Sequence, residues 1–353
     1  MMQRSWQSRI SAATGTRKMR LPARIDPTSI ITRRPCIAYR QRRPPHRICD
    51  TFFNSLSSAS ARHGQDSRLD RQWERTSMDI GRRKTALVTG TSSGMGKEIA
   101  KRLIKEGYQV YVAARQIEKM QDLAGLGATP LRMDISRDDE IREAVEIILN
   151  EVGGVDVLVN NAGFGLYGPI EEVGIEEARY QFEVNVFGTA RLTQLLLPTM
   201  REEGSGTIVN ITSMGGKIYT PLGGWYHATK HALEGWSDCL RLELAPFGIK
   251  VVIIEPGLIK TGFGDVVVEG LAKRSGGGPY AELVQSVTRS TREAYGHGRS
   301  SDPSMIGDVV AKAIKARKPR TRYVVGKYAK PMIMLRKWLG DRMFDRIIML
   351  QMR

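Results

Sequence analysis

Tyr226 and Lys230, within Tyr226-His227-Ala228-Thr229-Lys230, put a phenol and an ammonium four residues apart, on one face of a helix. A free phenol ionises near about pH 10, and a neighbouring cation stabilises its anion and draws it toward the range where it can pass protons. Such a pair alone is more often surface decoration than a site. Ser213 changes the weighting. It closes the segment Val209-Asn210-Ile211-Thr212-Ser213 at a strand end, thirteen residues before Tyr226, where its hydroxyl can orient and polarise a carbonyl.

A second group of residues suits a different task. Thr89-Gly90-Thr91-Ser92-Ser93-Gly94-Met95-Gly96 follows a β-branched run and leads into the amphipathic Lys97-Glu98-Ile99-Ala100-Lys101-Arg102-Leu103. Glycines there allow a tight turn and let a pyrophosphate approach backbone N–H groups at a helix N-terminus. An ordinary turn is the bland alternative, and the placement between a strand and a helix argues against it. The next strand ends Val112-Ala113-Ala114-Arg115. A carboxylate at this place would hold the ribose 2′-OH of NAD, but Ala114 stands there and the Arg115 guanidinium suits a 2′-phosphate. NADP(H) is therefore favoured over NAD(H).

These residues need elements to hold them. Short β-branched runs at 85–88, 109–113, 129–133, 155–159, 206–211, 250–254 and 323–325 alternate with helical patterns at 96–106, 137–151, 175–201 and 225–245. That alternation reads as an α/β domain, a parallel sheet wound on both faces by helices. Of the 353 residues, 41% are apolar and 26% charged, enough for a full core. The formal charge of +17 is uneven, with 16 Lys and Arg against 5 Asp and Glu in residues 1–77. This leader lacks periodicity and reads as disordered: a mitochondrial-type targeting segment, a nucleic-acid arm, or sequence ahead of a true start at Met78. Its charge is detached from the fold and not interleaved with aromatic residues, which argues against nucleic acid. Three cysteines, Cys36, Cys49 and Cys239, make no disulfide framework, and no apolar run is long enough to span a bilayer. A cytoplasmic protein is expected, with organellar import only if the leader is translated.

The spacing Thr-Gly-x-x-x-Gly-x-Gly, together with Tyr-x-x-x-Lys and the upstream serine, resembles the standard type of the short-chain dehydrogenase/reductase family. The resemblance implies a single Rossmann-type domain over residues 78–326 with a mostly parallel seven-stranded sheet. It also implies a nicotinamide cofactor held by Gly90, Ser92, Ser93, Gly94, Met95 and Gly96 around the pyrophosphate. Asp134 and Ile135, after the third strand, fall at the adenine edge, and Asn160-Asn161-Ala162-Gly163 matches the motif that shapes the cleft. Pro256, Gly257 and Thr261 fall beside the nicotinamide. By the same resemblance Lys230 also holds the nicotinamide ribose. Asn185 matches a fourth catalytic member that anchors a water leading from the lysine to solvent. The implied reaction is hydride transfer between nicotinamide and a carbonyl or alcohol carbon, with Tyr226 moving the proton. A catalytically idle NADP(H)-binding sensor of the same fold is the competing reading.

Residues 257–303, rich in Gly and Ser, fall where the resemblance implies a mobile substrate loop, with a variable surface excursion as the plain alternative, and 327–353 read as amphipathic helices that pack over the cleft or lie on an anionic membrane. Either placement suits a lipophilic substrate of steroid, retinoid or fatty type, and the tail resembles the hydroxysteroid and retinol dehydrogenase branch. A homo-oligomer, dimer or tetramer, is implied by the family. His227 and His231 are four apart, but Ala228 stands where a metal-site glutamate would be and no third ligand is evident, so no metal is expected. Trp225 and Trp236 read as packing or pocket wall.

Overall fold

Runs of four to eight residues rich in Val, Ile and Ala suit buried strands. In the computed structural model, which describes residues 83–275, 277–296 and 298–352, seven of them form one sheet. They are β1 (Thr85–Thr89), β2 (Gln109–Ala114), β3 (Thr129–Arg132), β4 (Val157–Asn160), β5 (Gly206–Ile211), β6 (Ile249–Pro256) and β7 (Arg322–Val325). The order is β3-β2-β1-β4-β5-β6-β7, and every neighbouring pair is parallel. Chain direction across the sheet reverses between β1 and β4, which opens a crevice at the carboxyl ends of the strands. Pro130 sits in β3, an edge strand, where a missing N–H is tolerated.

The helices are α1 (Gly94–Lys105), α2 (Gln121–Gly125), α3 (Asp138–Val152), α4 (Ile175–Phe182), α5 (Gly188–Glu203), α6 (Gly224–Leu244), α7 (Phe263–Ser275), α8 (Ala281–Tyr295), α9 (Ser304–Lys315) and α10 (Ala329–Leu350). Strand side chains alternate between two cores. Val88, Val110 and Val112 pack with Ile99 and Leu103 of α1 and Ile306 and Val310 of α9. Leu87, Tyr111 and Leu158 pack on the other face with Ile141 and Ile148 of α3 and Leu192 and Leu196 of α5. Each such side chain, fully buried, stabilises the fold by about 1.5–3 kcal/mol. Helix ends are marked locally as well: α3 opens on Asp138, Asp139 and Glu140 and stops at Gly153 with φ of 77°.

All seven expected strands are present, with ends moved by two residues or fewer. The expected leader lies outside the described residues. The loop expected at 257–303 is instead largely helical, as α7 and α8. Their apolar period is real, since Val267, Leu271, Val284 and Val287 are buried together with Leu222. It was obscured by the surrounding glycines, of which Gly264 serves close packing, since a Cβ there would lie 2.8 Å from the Tyr295 ring. α9 and the short α2 also went unread. The helix expected at 175–201 is continuous but carries a π-helical turn, Glu183–Phe187, between α4 and α5. α10 holds the two expected C-terminal helices, divided at Gly340, where φ is 69°. Phe344 and Ile348 dock it onto Ile218.

Candidate active site

The glycine loop joins β1 to α1 and gets its shape from neighbours that leave no room for side chains. Gly90 and Gly94 have φ of 70° and 57°. A Cβ on Gly96 would lie 2.3 Å from the Gly90 carbonyl oxygen and 2.4 Å from Asn161 Nδ2. Asn161 fastens the loop to β4 by donating from Nδ2 to the Thr89 carbonyl at 2.8 Å, while the Asn161 and Ala162 N–H groups both donate to Thr89 Oγ1 at 3.0 Å. The first turn of α1 contains no acidic residue, so the positive end of its dipole is not neutralised by the protein. A backbone cradle at an acid-free helix N-terminus fits a dinucleotide pyrophosphate.

The remaining cofactor candidates converge on the same crevice. Gly90, Ser92, Ser93, Gly94, Met95, Gly96, Arg115, Asp134, Ile135, Asn161, Ala162, Gly163, Pro256, Gly257 and Thr261 all line one cleft of about 940 Å3, together with Ser213 and Tyr226. Arg115 is exposed and donates to the Tyr180 hydroxyl at 3.3 Å. Asp134 Oδ1 accepts from the N–H and hydroxyl of Ser136 at 3.0 and 2.7 Å. Thr261 faces the glycine loop across the cleft, its Cγ2 lying 3.1 Å from where a Gly94 Cβ would be. Gly257 must be bare, because a Cβ there would fall 2.2 Å from the Lys327 carbonyl oxygen.

Tyr226 and Ser213 face this cleft; Lys230 and Asn185 stand behind its wall. Burial pushes the Tyr226 phenol up to about 12, against a hydrogen bond with Ser213 that draws it down. Ser213 caps a short turn, its Oγ accepting from Gly215 N–H at 3.0 Å. Lys230 is 6% exposed and donates to the Ile211 carbonyl at 3.0 Å. Burial lowers its ammonium to about 8, with Glu234 one turn on pulling the other way. Asn185, on the π-helical turn, accepts from Phe164 N–H and donates to the Phe164 carbonyl and Thr229 Oγ1, each at 3.0 Å. Its amide thus ties the strand-end loop after β4 to α6, which carries Tyr226 and Lys230.

Several neighbours were not read from sequence. Gln181, four residues before Asn185, donates to the same Phe164 carbonyl at 2.9 Å, and that i, i+4 spacing was visible. Tyr167 and Phe263 flank the Tyr226 ring at 5.7 and 5.3 Å, and Tyr295 packs on Phe263 at 6.1 Å. Thr212 donates to buried Glu234 at 2.6 Å, and Glu234 also meets Lys217 and Arg322. Burial beside Glu234 pushes the Glu255 carboxyl up. His227, which its spacing offers only as half of a metal-like pair, braces the Ser213 turn. Its Nε2 accepts from Thr220 N–H at 3.0 Å, so the ring proton sits on Nδ1 and is donated to the Gly215 carbonyl at 2.9 Å. His231 Nδ1 lies 2.9 Å from the His227 carbonyl oxygen. Burial holds the His227 imidazolium down at about 4.

A phenol, a hydroxyl and a buried ammonium at the end of a dinucleotide-shaped crevice can deliver or remove a proton beside a hydride carrier. Residues 84–271 match the family model described as short chain dehydrogenase. The chain belongs to the short-chain dehydrogenase family. It is an NAD(P)-dependent oxidoreductase acting on a small molecule. This short-chain dehydrogenase is 35% identical over 265 residues to a 3-ketodihydrosphingosine reductase of Bacteroides thetaiotaomicron, covering 73% of this chain and 94% of that one. It is 36% identical over 276 residues to an NADPH-dependent 3-dehydrocapnine reductase of Ornithobacterium rhinotracheale, covering 74% and 95%. Its fold matches a short-chain dehydrogenase from Streptomyces avermitilis with a TM-score of 0.60 at 36% identity, over 73% of this chain and 97% of that one. An actinorhodin polyketide ketoreductase solved with NADPH matches with the same score at 33% identity, over 69% and 95%.

Proposed function

We propose that this enzyme uses NADP(H) in preference to NAD(H) and reduces a ketone carried on a long apolar chain, with Tyr226 as the proton donor. One observation carries the reading: the cleft that holds the glycine loop continues past Tyr226 and Ser213 into a wall of apolar side chains that includes Phe263, Val267, Val287, Ile348 and Met352. Such a wall suits the fatty type of substrate among the three expected. The names of two relatives, a 3-ketodihydrosphingosine reductase and an NADPH-dependent 3-dehydrocapnine reductase, support both the keto group and the cofactor. Arg115, with Ala114 in place of an acid, supports the 2′-phosphate.

When bound, the nicotinamide supplies the hydride to the carbonyl carbon. The chain supplies the rest. The Gly90 to Gly96 loop and the N-terminus of α1 hold the pyrophosphate. Ser213 Oγ donates to the carbonyl oxygen and fixes its direction. Tyr226 passes its phenolic proton to that oxygen as negative charge develops there, and the Lys230 cation stabilises the phenolate left behind. Thr229 and Asn185 keep α6 and the Phe164 loop in register with this pair, and Asn185 lies on the route by which the family resemblance returns a proton from solvent. Phe263 and Tyr167 exclude water around the phenol.

The test is consumption of NADPH by the full chain with long-chain 3-keto amines, steroids, retinaldehydes and short soluble ketones. The reading expects the long-chain ketones to give the highest kcat/KM. It also expects Tyr226→Phe to lower kcat at least about a thousandfold while NADPH still binds. A phenylalanine variant of full activity would remove Tyr226 from the mechanism, and steroid turnover above that of every aliphatic ketone would overturn the substrate class.

A further inference from the structure

The helix pair that roofs the cleft has two dissimilar uses for its two faces. Met332 and Ile348 point one face at the cleft, with Phe344 buried beside them. A helix docked by one apolar face ordinarily shows water a polar one, whereas the outer side of α10 mixes large apolar side chains with cations. In its first half Lys330, Pro331, Met334, Lys337 and Trp338 follow the i, i+1, i+4, i+7, i+8 spacing of a single face, and all are exposed, Trp338 to 75%. Pro331, Met334, Leu335, Trp338 and Leu339 wall a shallow groove there beside Lys330. After the break at Gly340 the pattern repeats with the same spacing, as Arg342, Met343, Arg346, Met349 and Leu350, again all exposed. The acids of the helix are engaged away from these cations, Asp341 with Arg336 and Asp345 with the Tyr219 hydroxyl. Among the described residues no carboxylate forms an ion pair with Lys330, Lys337, Arg342 or Arg346.

We infer that the exposed side of α10 docks on an anionic phospholipid bilayer, with Met334 and Trp338 of its first half entering the acyl boundary, Lys330 and Lys337 meeting headgroup phosphates, and the exposed Arg342 and Arg346 beyond Gly340 adding to the attraction. The composition decides between occupants. Aromatic and aliphatic side chains interleaved with Lys and Arg are the pattern of a helix lying in the membrane interface. A second copy of the same face would oppose its cations with an identical set and lose the electrostatic complementarity that stable interfaces use. Lys337 Nζ already lies 5.9 Å from the Trp338 ring centre, a pairing suited to the headgroup level. Because one helix is both cleft roof and docking face, an apolar substrate leaving the bilayer meets the cleft across about 10 Å of helix. The docking claim itself stands whatever the substrate proves to be.

The experiment uses the full chain with vesicles of phosphatidylcholine alone or mixed with phosphatidylserine, read by flotation and by quenching of tryptophan emission from lipids with brominated acyl chains. Flotation with the mixed vesicles is expected. Part of the quenching should disappear in Trp338→Phe, which separates α10 from the other four tryptophans and from the basic leader. Lys330→Glu with Lys337→Glu should weaken binding at least about tenfold, and Met334→Glu with Trp338→Glu should abolish the Trp338-dependent quenching, while both pairs keep their activity on a soluble ketone. Absence of binding, or binding in which Trp338→Phe changes no quenching, overturns the inference. So does a fall in solution mass of Met334→Glu with Trp338→Glu in the absence of lipid, which would make this face an interface between copies.

Discussion

Acid should loosen the Ser213 turn through a single imidazole. His227 is 6% exposed, and as the neutral ring it accepts the Thr220 N–H and donates to the Gly215 carbonyl. A second proton would turn the Nε2 acceptor into a donor facing an N–H and would bury a charge. Burial, with a smaller push from His231, lowers its ionisation to about 4 from the 6.5 of an unconstrained histidine. The folded-state value is the lower one, so as pH falls through 6.5 the unfolded chain takes up the proton first and stability is lost. The loss is negligible above about pH 7 and complete below about pH 4, where it reaches about 3 kcal/mol; roughly 2 kcal/mol of it is in place at about pH 5. Carboxylate pairs such as Asp138 with Arg142 and Arg191 add their own acid sensitivity, so the comparison must be with a variant. His227→Gln keeps a donor and an acceptor but cannot titrate. Urea unfolding of both proteins at about pH 7 and pH 5 should show the variant gaining about 2 kcal/mol on the native chain over that interval. Parallel losses in the two proteins would refute the assignment of the neutral, doubly bonded ring.

Arg115→Ala should raise the KM for NADPH roughly tenfold or more while leaving that for NADH nearly unchanged, because only a charge-assisted contact to a 2′-phosphate is removed; steady-state kinetics with each cofactor checks this. Gly188→Ala should destabilise the fold by about 1–3 kcal/mol or more in urea unfolding, since its Cβ would sit 1.9 Å from the Ile135 carbonyl oxygen, a backbone atom that cannot swing aside. Lys230→Met should abolish turnover yet raise stability by up to about 3 kcal/mol at neutral pH. The folded ammonium ionises at about 8 against 10.5 when free, so its burial penalty is fully present below pH 8 and fades as pH rises toward 10.5. A gain that persists unchanged above that pH would contradict this cause.

What could be read from sequence was what neighbouring residues encode among themselves. The glycine loop and the strands carry their patterns within a few residues, and the structure places them where those patterns lead; Tyr226 and Lys230 share one helix as their spacing requires, but burial holds the phenol up, opposed by Ser213, and Lys230 bonds the Ile211 carbonyl. Arg115 stood out in the sequence through the acid missing beside it, and the structure sets it on the wall of the cleft. The aromatic wall was not, because Tyr167, Phe263 and Tyr295 lie on separate elements and meet only after folding. The role of His227 was hidden for a like reason: its spacing from His231 says nothing of its ring bonds, which are made to Gly215 and to Thr220 on a turn before the helix. The helices α7 and α8 were obscured by the glycines around them, of which Gly264 makes room for the Tyr295 ring.

The π-helical turn at Glu183–Phe187 amounts to one residue more than a regular helix would hold between α4 and α5. Loss of a single codon there, for Val184 or Val186, would repair the helix rather than break it. Hydropathy, length and the sheet would barely register the change. Yet the helix before the lesion would turn by about 100° relative to the helix after it, carrying Gln181 away from the Phe164 carbonyl and separating Asn185 from either Phe164 or Thr229. An in-frame deletion of three bases here should therefore act twice, loosening the Asn185 ties and turning the buried Ala178 and Gln181 out of their packing, so that turnover and stability fall together.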